Sequence, residues 1–451
     1  MLEKIDAVNS VLNNFIWGVP AMTCIIGVGL YLSFRTRFLQ IRKFPYAMKV
    51  TFGRMFKKKE AGDGALTPFQ AVCTALAATV GTGNVAGVAG AIAIGGPGAI
   101  FWMWISALLG MCTKFAEVTL AVHFREKNKD GDYVGGPMYY IKNGLKKHWQ
   151  WLAYLFSAFG VLTVFGTGNA TQVNTITTAI DSALFNYNVI SENQVSTLNL
   201  IIGIVLAILI ALILLGGIKR IGQVTEKLVP FMAVMYIVLA IGVVLLNVKN
   251  VPSVFASIFE GAFNPASVTG GVVGSFFMSM KKGVSRGIFS NEAGLGTGSI
   301  AYACADTRKP VKQGFFGIFE VFVDTIVICT LSGLSVVITG AWQVEGLEGV
   351  QVTTYAFQHV LPIPGKISAF VLMICLVFFA FTTILGWDYY SERCLDYLTG
   401  NNKKVVRAYR WIYIACVFIG PYMTVSAVWT IADIVNGLMA IPNLIALLAL
   451  N

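Results

Sequence analysis

The chain contains few charged residues and almost no histidine. Asp, Glu, Lys and Arg make up 12% of its 451 residues, and only three residues are histidine. Residues 65–113 contain none of these five types. A soluble domain of this length needs far more polar side chains to cover its surface. Since 56% of the residues are hydrophobic, the composition excludes an ordinary soluble protein and indicates that lipid surrounds much of the chain.

The sequence lacks several motifs that are typical of other functions. The eight cysteines include no C-x-x-C pair, and the three histidines lie far apart in the sequence. We therefore expect no cofactor and no transition-metal site. The net charge is +11, but the cations lie in short loops between apolar runs, so we expect no nucleic-acid partner. Glu3 and Asp6 precede the first apolar run, which does not fit a signal peptide.

Long uncharged runs predict an all-α polytopic membrane protein. A helix needs about 20 residues to cross the hydrocarbon core, and eleven runs satisfy this length. Glycine–proline pairs and charge clusters separate the runs. The predicted spans are about 14–34, 66–94, 98–123, 150–178, 197–216, 224–246, 265–290, 314–340, 367–390, 406–427 and 429–449. Residues 1–34 hold an extra N-terminal helix before the other ten.

Lysine and arginine fix the predicted orientation. Alternate loops hold 26 of these residues, whereas the N-terminal segment and the loops on the other side hold three. By the positive-inside rule, the N-terminus lies outside and the C-terminus lies in the cytoplasm, as a multi-pass protein of the cell (plasma) membrane. The first cytoplasmic loop, residues 35–63, has nine cations interleaved with apolar residues, which predicts an amphipathic helix on anionic lipid.

The second predicted span contains an unusual polar stretch, ATVGTGNVAG, at residues 78–87. A glycine costs about 1 kcal/mol relative to alanine inside a helix, and three of them accompany Thr82 and Asn84 here. Glycines at this spacing are also used for close packing between helices. The added polar side chains favour a break in the helix, which is tolerated at this depth only where the backbone lines a cavity or binds a ligand.

A matching stretch, NPASVTGGVVGSFFMSMKKG, occurs half a chain later. It starts with Pro265, five spans after Pro68, and by the orientation count it runs in the opposite direction. Two interrupted spans at matching positions of two five-span halves, 64–246 and 265–451, indicate an inverted-repeat secondary transporter.

Two dense motifs resemble those of a known family. GGPGAIFWMWISALLG (Gly95–Gly110) and RGIFSNEAGLGTG (Arg286–Gly298) resemble blocks of the sodium:alanine (alanine or glycine:cation) symporter family. The likeness covers essentially the whole chain. It implies the ten-helix inverted-repeat fold of the bacterial leucine transporter, with core helices 1 and 6 broken and one extra helix before them. It also implies import of alanine or glycine with sodium.

The resemblance further implies two groups of site residues. The amino acid would be held by the first broken helix and by the facing part of the sixth, that is by Gly81, Thr82, Gly83, Asn84, Gly274, Ser275, Phe276, Phe277 and Met278. Sodium would be held by carbonyls and hydroxyls of Ala77, Val80, Thr382 and Thr383. Because charges are costly at the bilayer midplane, the break in the sixth core helix is predicted before Lys281 and Lys282.

Charged residues inside the predicted spans leave two roles open. Lys114 and Glu117 are i,i+3 neighbours that we interpret as a packing pair. Glu320 and Asp324 lie deeper, where carboxylates are functional candidates by default. They would form either a proton relay or a structural partner of Arg286 or Lys282.

The sequence therefore predicts a sodium-coupled importer of alanine or glycine that uses alternating access. A proton-coupled amino-acid transporter is the main alternative. A cation channel would need a ring of filter groups from repeated subunits, and an intramembrane enzyme would need a catalytic motif, which we do not find in the sequence.

Overall fold

The computed structural model describes residues 18–55, 62, 65–269, 275–422 and 425–450, and these residues are mostly helical. Their α-helices are α1 (Val19–Arg35), α2 (Leu39–Arg42), α3 (Phe44–Met55), α4 (Pro68–Thr79), α5 (Ala86–Gly95), α6 (Gly98–His123), α7 (Pro137–Gly144), α8 (Trp151–Thr163), α9 (Thr171–Asn186), α10 (Val195–Leu214), α11 (Gly217–Leu246), α12 (Val251–Phe263), α13 (Pro265–Thr269), α14 (Phe276–Asn291), α15 (Gly298–Ala303), α16 (Pro310–Val321), α17 (Thr330–Ile338), α18 (Val350–Val360), α19 (Gly365–Thr399), α20 (Lys403–Ile419) and α21 (Val425–Ala449).

Shorter elements complete the chain. A two-stranded antiparallel hairpin, β1 (Glu126–Lys127) and β2 (Tyr133–Val134), lies between α6 and α7. Two π-helices, Val164–Ala170 and Phe322–Cys329, interrupt otherwise continuous helices. π-helical turns are rare and are often found at functional sites.

The helix α4 begins with a complete capping box. The hydroxyl of Thr67 accepts a hydrogen bond from the Gln70 backbone N–H at 3.0 Å, and the Gln70 side chain accepts one from the Thr67 N–H at 3.0 Å. Pro68 occupies the first helical turn, where its missing N–H costs nothing. The sequence thus defines the start of α4 locally.

Apolar helices of membrane-spanning length dominate the described residues. Six of them are long and apolar enough to cross a membrane, or seven if the bent pair Pro68–Thr79 and Thr82–Gly95 is one span. The eleven-span count and the two five-helix halves remain predictions, because the first span begins outside the described residues and several others are shorter helices.

Two helices organise the interior. The helix α6 packs against α14 and α16, while α19 packs against α4, α9 and α11. The turn that joins α4 and α5 contacts α14 and α19. By contrast, α10 and α11 bury little of their apolar surface, as expected for helices that face lipid.

The predicted amphipathic loop is mostly helical over its described residues 35–55. Lys57, Lys58 and Lys59 lie outside the described residues, but α3 covers its middle part. Its aromatic side chains pack on α16 and on the π-helix that follows, with ring centroids 4.8–5.4 Å apart in the pairs Phe44–Phe322, Tyr46–Phe315 and Phe52–Phe319. Part of the apolar face of this segment therefore packs on protein, and its predicted contact with anionic lipid remains a prediction.

Candidate functional site

The chain bends by 60° between α4 and the segment Thr82–Gly95. Gly81 has an extended backbone (φ −137°, ψ −157°), and Thr82–Asn84 form a single 3₁₀ turn. The Gly81 N–H donates to Asn84 Oδ1 at 2.8 Å, so it does not continue the α-helical ladder to the Ala77 carbonyl. The last carbonyls of α4 are therefore available to groups outside the helix.

One of these carbonyls meets α19. Thr383 Oγ1 lies 3.1 Å from the Ala77 carbonyl oxygen and 2.9 Å from that of Phe379. A methyl group placed on Gly81 would lie 2.6 Å from Thr383 Oγ1. The structure thus brings Ala77, Gly81 and Thr383 together, and Val80 is buried beside them.

The neighbouring threonine points elsewhere. Thr382 Oγ1 donates to the backbone carbonyls of Phe378 and Phe379, and it lies 3.4 Å from Met232 Sδ of α11. Of the two predicted threonine ligands, only Thr383 therefore contacts the end of α4 in this structure.

Gln172, a buried residue of α9, also contacts the first break. Thr82 Oγ1 donates to Gln172 Oε1 at 3.2 Å. The Gln172 Nε2 group donates to the Thr167 carbonyl, within the π-helix Val164–Ala170, at 2.9 Å. Sequence reasoning missed Gln172. A signal was present, since the tetrapeptide GTGN of residues 81–84 recurs at residues 166–169, shortly before it.

The segment that faces this break is the end of α14. Asn84 Nδ2 donates to Ser290 Oγ at 2.8 Å, and a methyl group on Gly83 would lie 3.4 Å from the Phe289 ring. After Asn291 the backbone turns sharply, with positive φ values at Glu292, Gly294 and Gly296. This second irregular stretch falls inside the motif RGIFSNEAGLGTG.

The predicted residues of the sixth core helix lie elsewhere. Gly274 is outside the described residues, and Ser275, Phe277 and Met278 are exposed. The Phe276 ring packs against the rings of Trp102 and Phe263, with centroids 5.4 and 6.4 Å apart. The structure does not bring Ser275–Met278 to Gly81–Asn84.

The break in the sixth core helix is predicted before two lysines, and residues 270–274, which precede them between α13 and α14, lie outside the described residues, so this break remains a prediction. Lys281 and Lys282 are half-buried residues inside the continuous helix α14. The irregular backbone that meets Gly83 and Asn84 follows them by about ten residues rather than preceding them.

Three buried carboxylates have partners that the sequence did not indicate. Lys114 Nζ lies 3.1 Å from Glu320 Oε1, and both side chains are fully buried. Glu117 is not the partner of Lys114 in a close ion pair; it accepts hydrogen bonds from the Gly294 N–H and from the Asn443 side chain. Asp324 accepts hydrogen bonds from neutral groups around the first break, including Asn84.

Comparison with known proteins supports a transporter. The family model described as "Sodium:alanine symporter family" matches residues 2–451. An uncharacterized transporter of Haemophilus influenzae is 48% identical over 449 residues, which cover 99% of this chain and 94% of the relative. The sodium/alanine symporter AgcS of Methanococcus maripaludis is 43% identical over 455 residues, which cover 100% of this chain and 95% of that protein.

A solved structure shares the fold. The substrate-bound, outward-open state of a Na⁺-coupled sialic acid symporter superposes with a TM-score of 0.53 at 12% identity, covering 91% of this chain and 82% of the other. At this identity the likeness shows the fold alone, which is that of the bacterial leucine transporter.

Proposed function

This chain belongs to the sodium:alanine symporter family, a family of multi-pass transporters rather than enzymes, and we propose that it imports alanine or glycine together with sodium. The observation that carries the proposal is the break between α4 and α5, where buried polar groups from four parts of the chain converge. Such backbone is tolerated within a bilayer only where it lines a cavity or binds a ligand.

The broken segment offers hydrogen-bond donors for the carboxylate of an amino acid and acceptors for its ammonium group. The backbone amides of Thr82 and Gly83 donate no hydrogen bond to the backbone of another described residue, so they suit the substrate carboxylate at the start of a half-helix. The Gln172 Oε1 atom and the Thr82 hydroxyl suit its ammonium group. The Phe289 ring, 3.4 Å from a methyl group on Gly83, would limit the substrate side chain to a hydrogen or a methyl group.

We place the sodium ion between α4 and α19. The carbonyls of Ala77 and Val80 with the Thr383 hydroxyl are neutral oxygens, which suit a hard monovalent cation and do not titrate near neutral pH. Since the zwitterionic substrate has no net charge, one sodium ion at 100 mV supplies about 2.3 kcal/mol. This corresponds to about a 40-fold concentration ratio of substrate.

The two threonines provide a matched test of this site. Thr383→Ala removes a hydroxyl that lies 3.1 Å from the Ala77 carbonyl, so it should raise the sodium concentration for half-maximal alanine uptake about tenfold. Thr382→Ala removes a hydroxyl that faces Met232, and it should change this value less than about threefold. Equal effects of the two substitutions would contradict the placement of the ion.

We also propose eleven membrane spans, the last ten forming two inverted repeats that rock around the site during transport. The N-terminus lies outside, in accordance with the lysine and arginine distribution. Exposed single cysteines at Lys146 and Glu348 test this orientation. An impermeant thiol reagent added to intact cells should label Glu348→Cys and miss Lys146→Cys, and the reverse pattern would overturn it.

A further inference from the structure

Asp324 accepts a hydrogen bond from Asn84 in the broken segment. We propose that Asp324 is the positioning residue that fixes the conformation of Gly81–Asn84. The inference rests on the proposed function, because it assigns a task at the same site. It replaces both roles that the sequence left open for this carboxylate, the proton relay and the ion-pair partner of Arg286 or Lys282.

The geometry shows a carboxylate surrounded by neutral donors. Asp324 Oδ1 accepts a hydrogen bond from Asn84 Nδ2 at 2.6 Å. Asp324 Oδ2 accepts one from Ser290 Oγ at 2.8 Å and another from Thr325 Oγ1 at 2.7 Å. The Asp324 side chain is fully buried, and each of its oxygens is bonded to at least one donor. Hydrogen bonds to an ionised acceptor are the strong ones.

The consequence for the break follows from the two ends of the Asn84 amide. An ionised carboxylate only accepts hydrogen bonds, so it holds the Nδ2 end of Asn84 toward itself. The Oδ1 end is then directed at the Gly81 N–H, which it accepts at 2.8 Å. This bond keeps the Gly81 amide away from the Ala77 carbonyl. Asp324 thereby prevents the chain from closing into a continuous helix at the proposed sodium and substrate groups.

The same carboxylate joins the two irregular segments. Ser290 lies in the last turn of α14, directly before the sharp turn at Glu292, and it bonds both Asn84 and Asp324. Asp324 itself belongs to the π-helix Phe322–Cys329. A second bond between these elements runs from Asn291 Nδ2 to Thr325 Oγ1 at 3.0 Å. The conformations of the two segments are therefore fixed relative to each other at one point.

An exchange of the two side chains tests the proposal. Asp324→Asn introduces an amide that can present its own donors to Asn84, so the Asn84 amide is free to turn away from Gly81. Asn84→Asp places a carboxylate against Asp324. Each single substitution should weaken alanine binding at saturating sodium about 30-fold or more.

The double variant Asn84→Asp/Asp324→Asn keeps the bonds that join Gly81, position 84 and position 324, and it loses the donation from position 84 to Ser290. The new carboxylate at position 84 would still accept from the Gly81 N–H, and it would also accept from the new amide at position 324. The oxygen of that amide would still accept from Ser290. Binding should therefore return to within about tenfold of the wild type, the remaining difference being the lost bond to Ser290. A double variant no better than the weaker single variant would overturn the proposal, and so would an Asp324→Asn protein that binds alanine as the wild type does.

Hydrogen exchange at the Gly81 amide separates this inference from the proposed function. Measured without substrate, its protection should fall in Asp324→Asn and return in the double variant, whatever the protein transports. If the single variant folds poorly, recovery of folded protein in the double variant supports the proposal, and equal loss in both contradicts it. Failure of the wild type to bind alanine or glycine with sodium would contradict only the function.

Discussion

Gly81→Ala should reduce alanine uptake about 100-fold, whereas Gly90→Ala should leave it unchanged. The two substitutions add the same methyl group to the same broken span. At Gly81 the new carbon would lie 2.6 Å from Thr383 Oγ1, a distance at which one of the two groups must move. Thr383 is held by the carbonyls of Ala77 and Phe379, so its displacement disturbs the proposed sodium site directly.

The control substitution Gly90→Ala separates the effect of a methyl group at the site from its effect on the helix itself. A methyl group on Gly90 meets nothing within 4 Å, and alanine is favoured over glycine in a helix by about 1 kcal/mol. The Gly90→Ala protein should therefore be at least as stable as the wild type. Uptake by both variants is measured in liposomes containing equal amounts of folded protein. Normal transport by Gly81→Ala would mean that the glycines serve packing alone.

Lys114→Met should lower the free energy of unfolding by about 3–5 kcal/mol. The ammonium group of Lys114 lies 3.1 Å from Glu320 Oε1 with both side chains fully buried, and it also donates to the Asn291 carbonyl at 3.0 Å. Removing it leaves the charge of Glu320 buried without its partner. The effect is measured by heating the purified protein and monitoring the loss of monodisperse protein as the temperature rises.

Two further variants make this prediction specific. Adding Glu320→Met to Lys114→Met should recover much of the loss, because a buried pair can be replaced by apolar side chains at little cost. Lys142→Met breaks the partly exposed pair with Glu126, 2.9 Å long, and should cost less than about 1 kcal/mol. If Lys114→Met and Lys142→Met unfold at the same temperature, the buried pair does not stabilise the fold.

The sequence revealed what is local and missed what depends on distant contacts. The cluster of glycines with Thr82 and Asn84 stands out in an uncharged run, and the 60° bend lies at this cluster. The meeting of Ala77 with Thr383, 306 positions apart, could be expected only through resemblance to a family. Gln172 was missed although the tetrapeptide GTGN recurs shortly before it, because the contact of Gln172 with Thr82 joins residues 90 positions apart.

Charges read along one helix do not indicate the contacts between helices. The break predicted before Lys281 and Lys282 falls on residues outside the described part of the chain, but the irregular backbone after Asn291, at the end of α14 that meets the first break, was not predicted. The i,i+3 spacing suggests Lys114 and Glu117 as a packing pair and does not indicate the close ion pair that Lys114 forms with Glu320 on α16. Helical spacing identifies neighbours on the same helix, and only the packing of α6 on α16 brings the distant carboxylate into contact.

We propose that sodium drives the import of a small neutral amino acid by this protein. The most direct test is uptake of alanine into liposomes that contain the purified protein at a fixed membrane potential. Replacing external sodium by choline should stop accumulation, and a step in external pH should change it little, because the proposed ligands are neutral oxygens. Accumulation that persists in choline and follows the pH gradient would contradict the account.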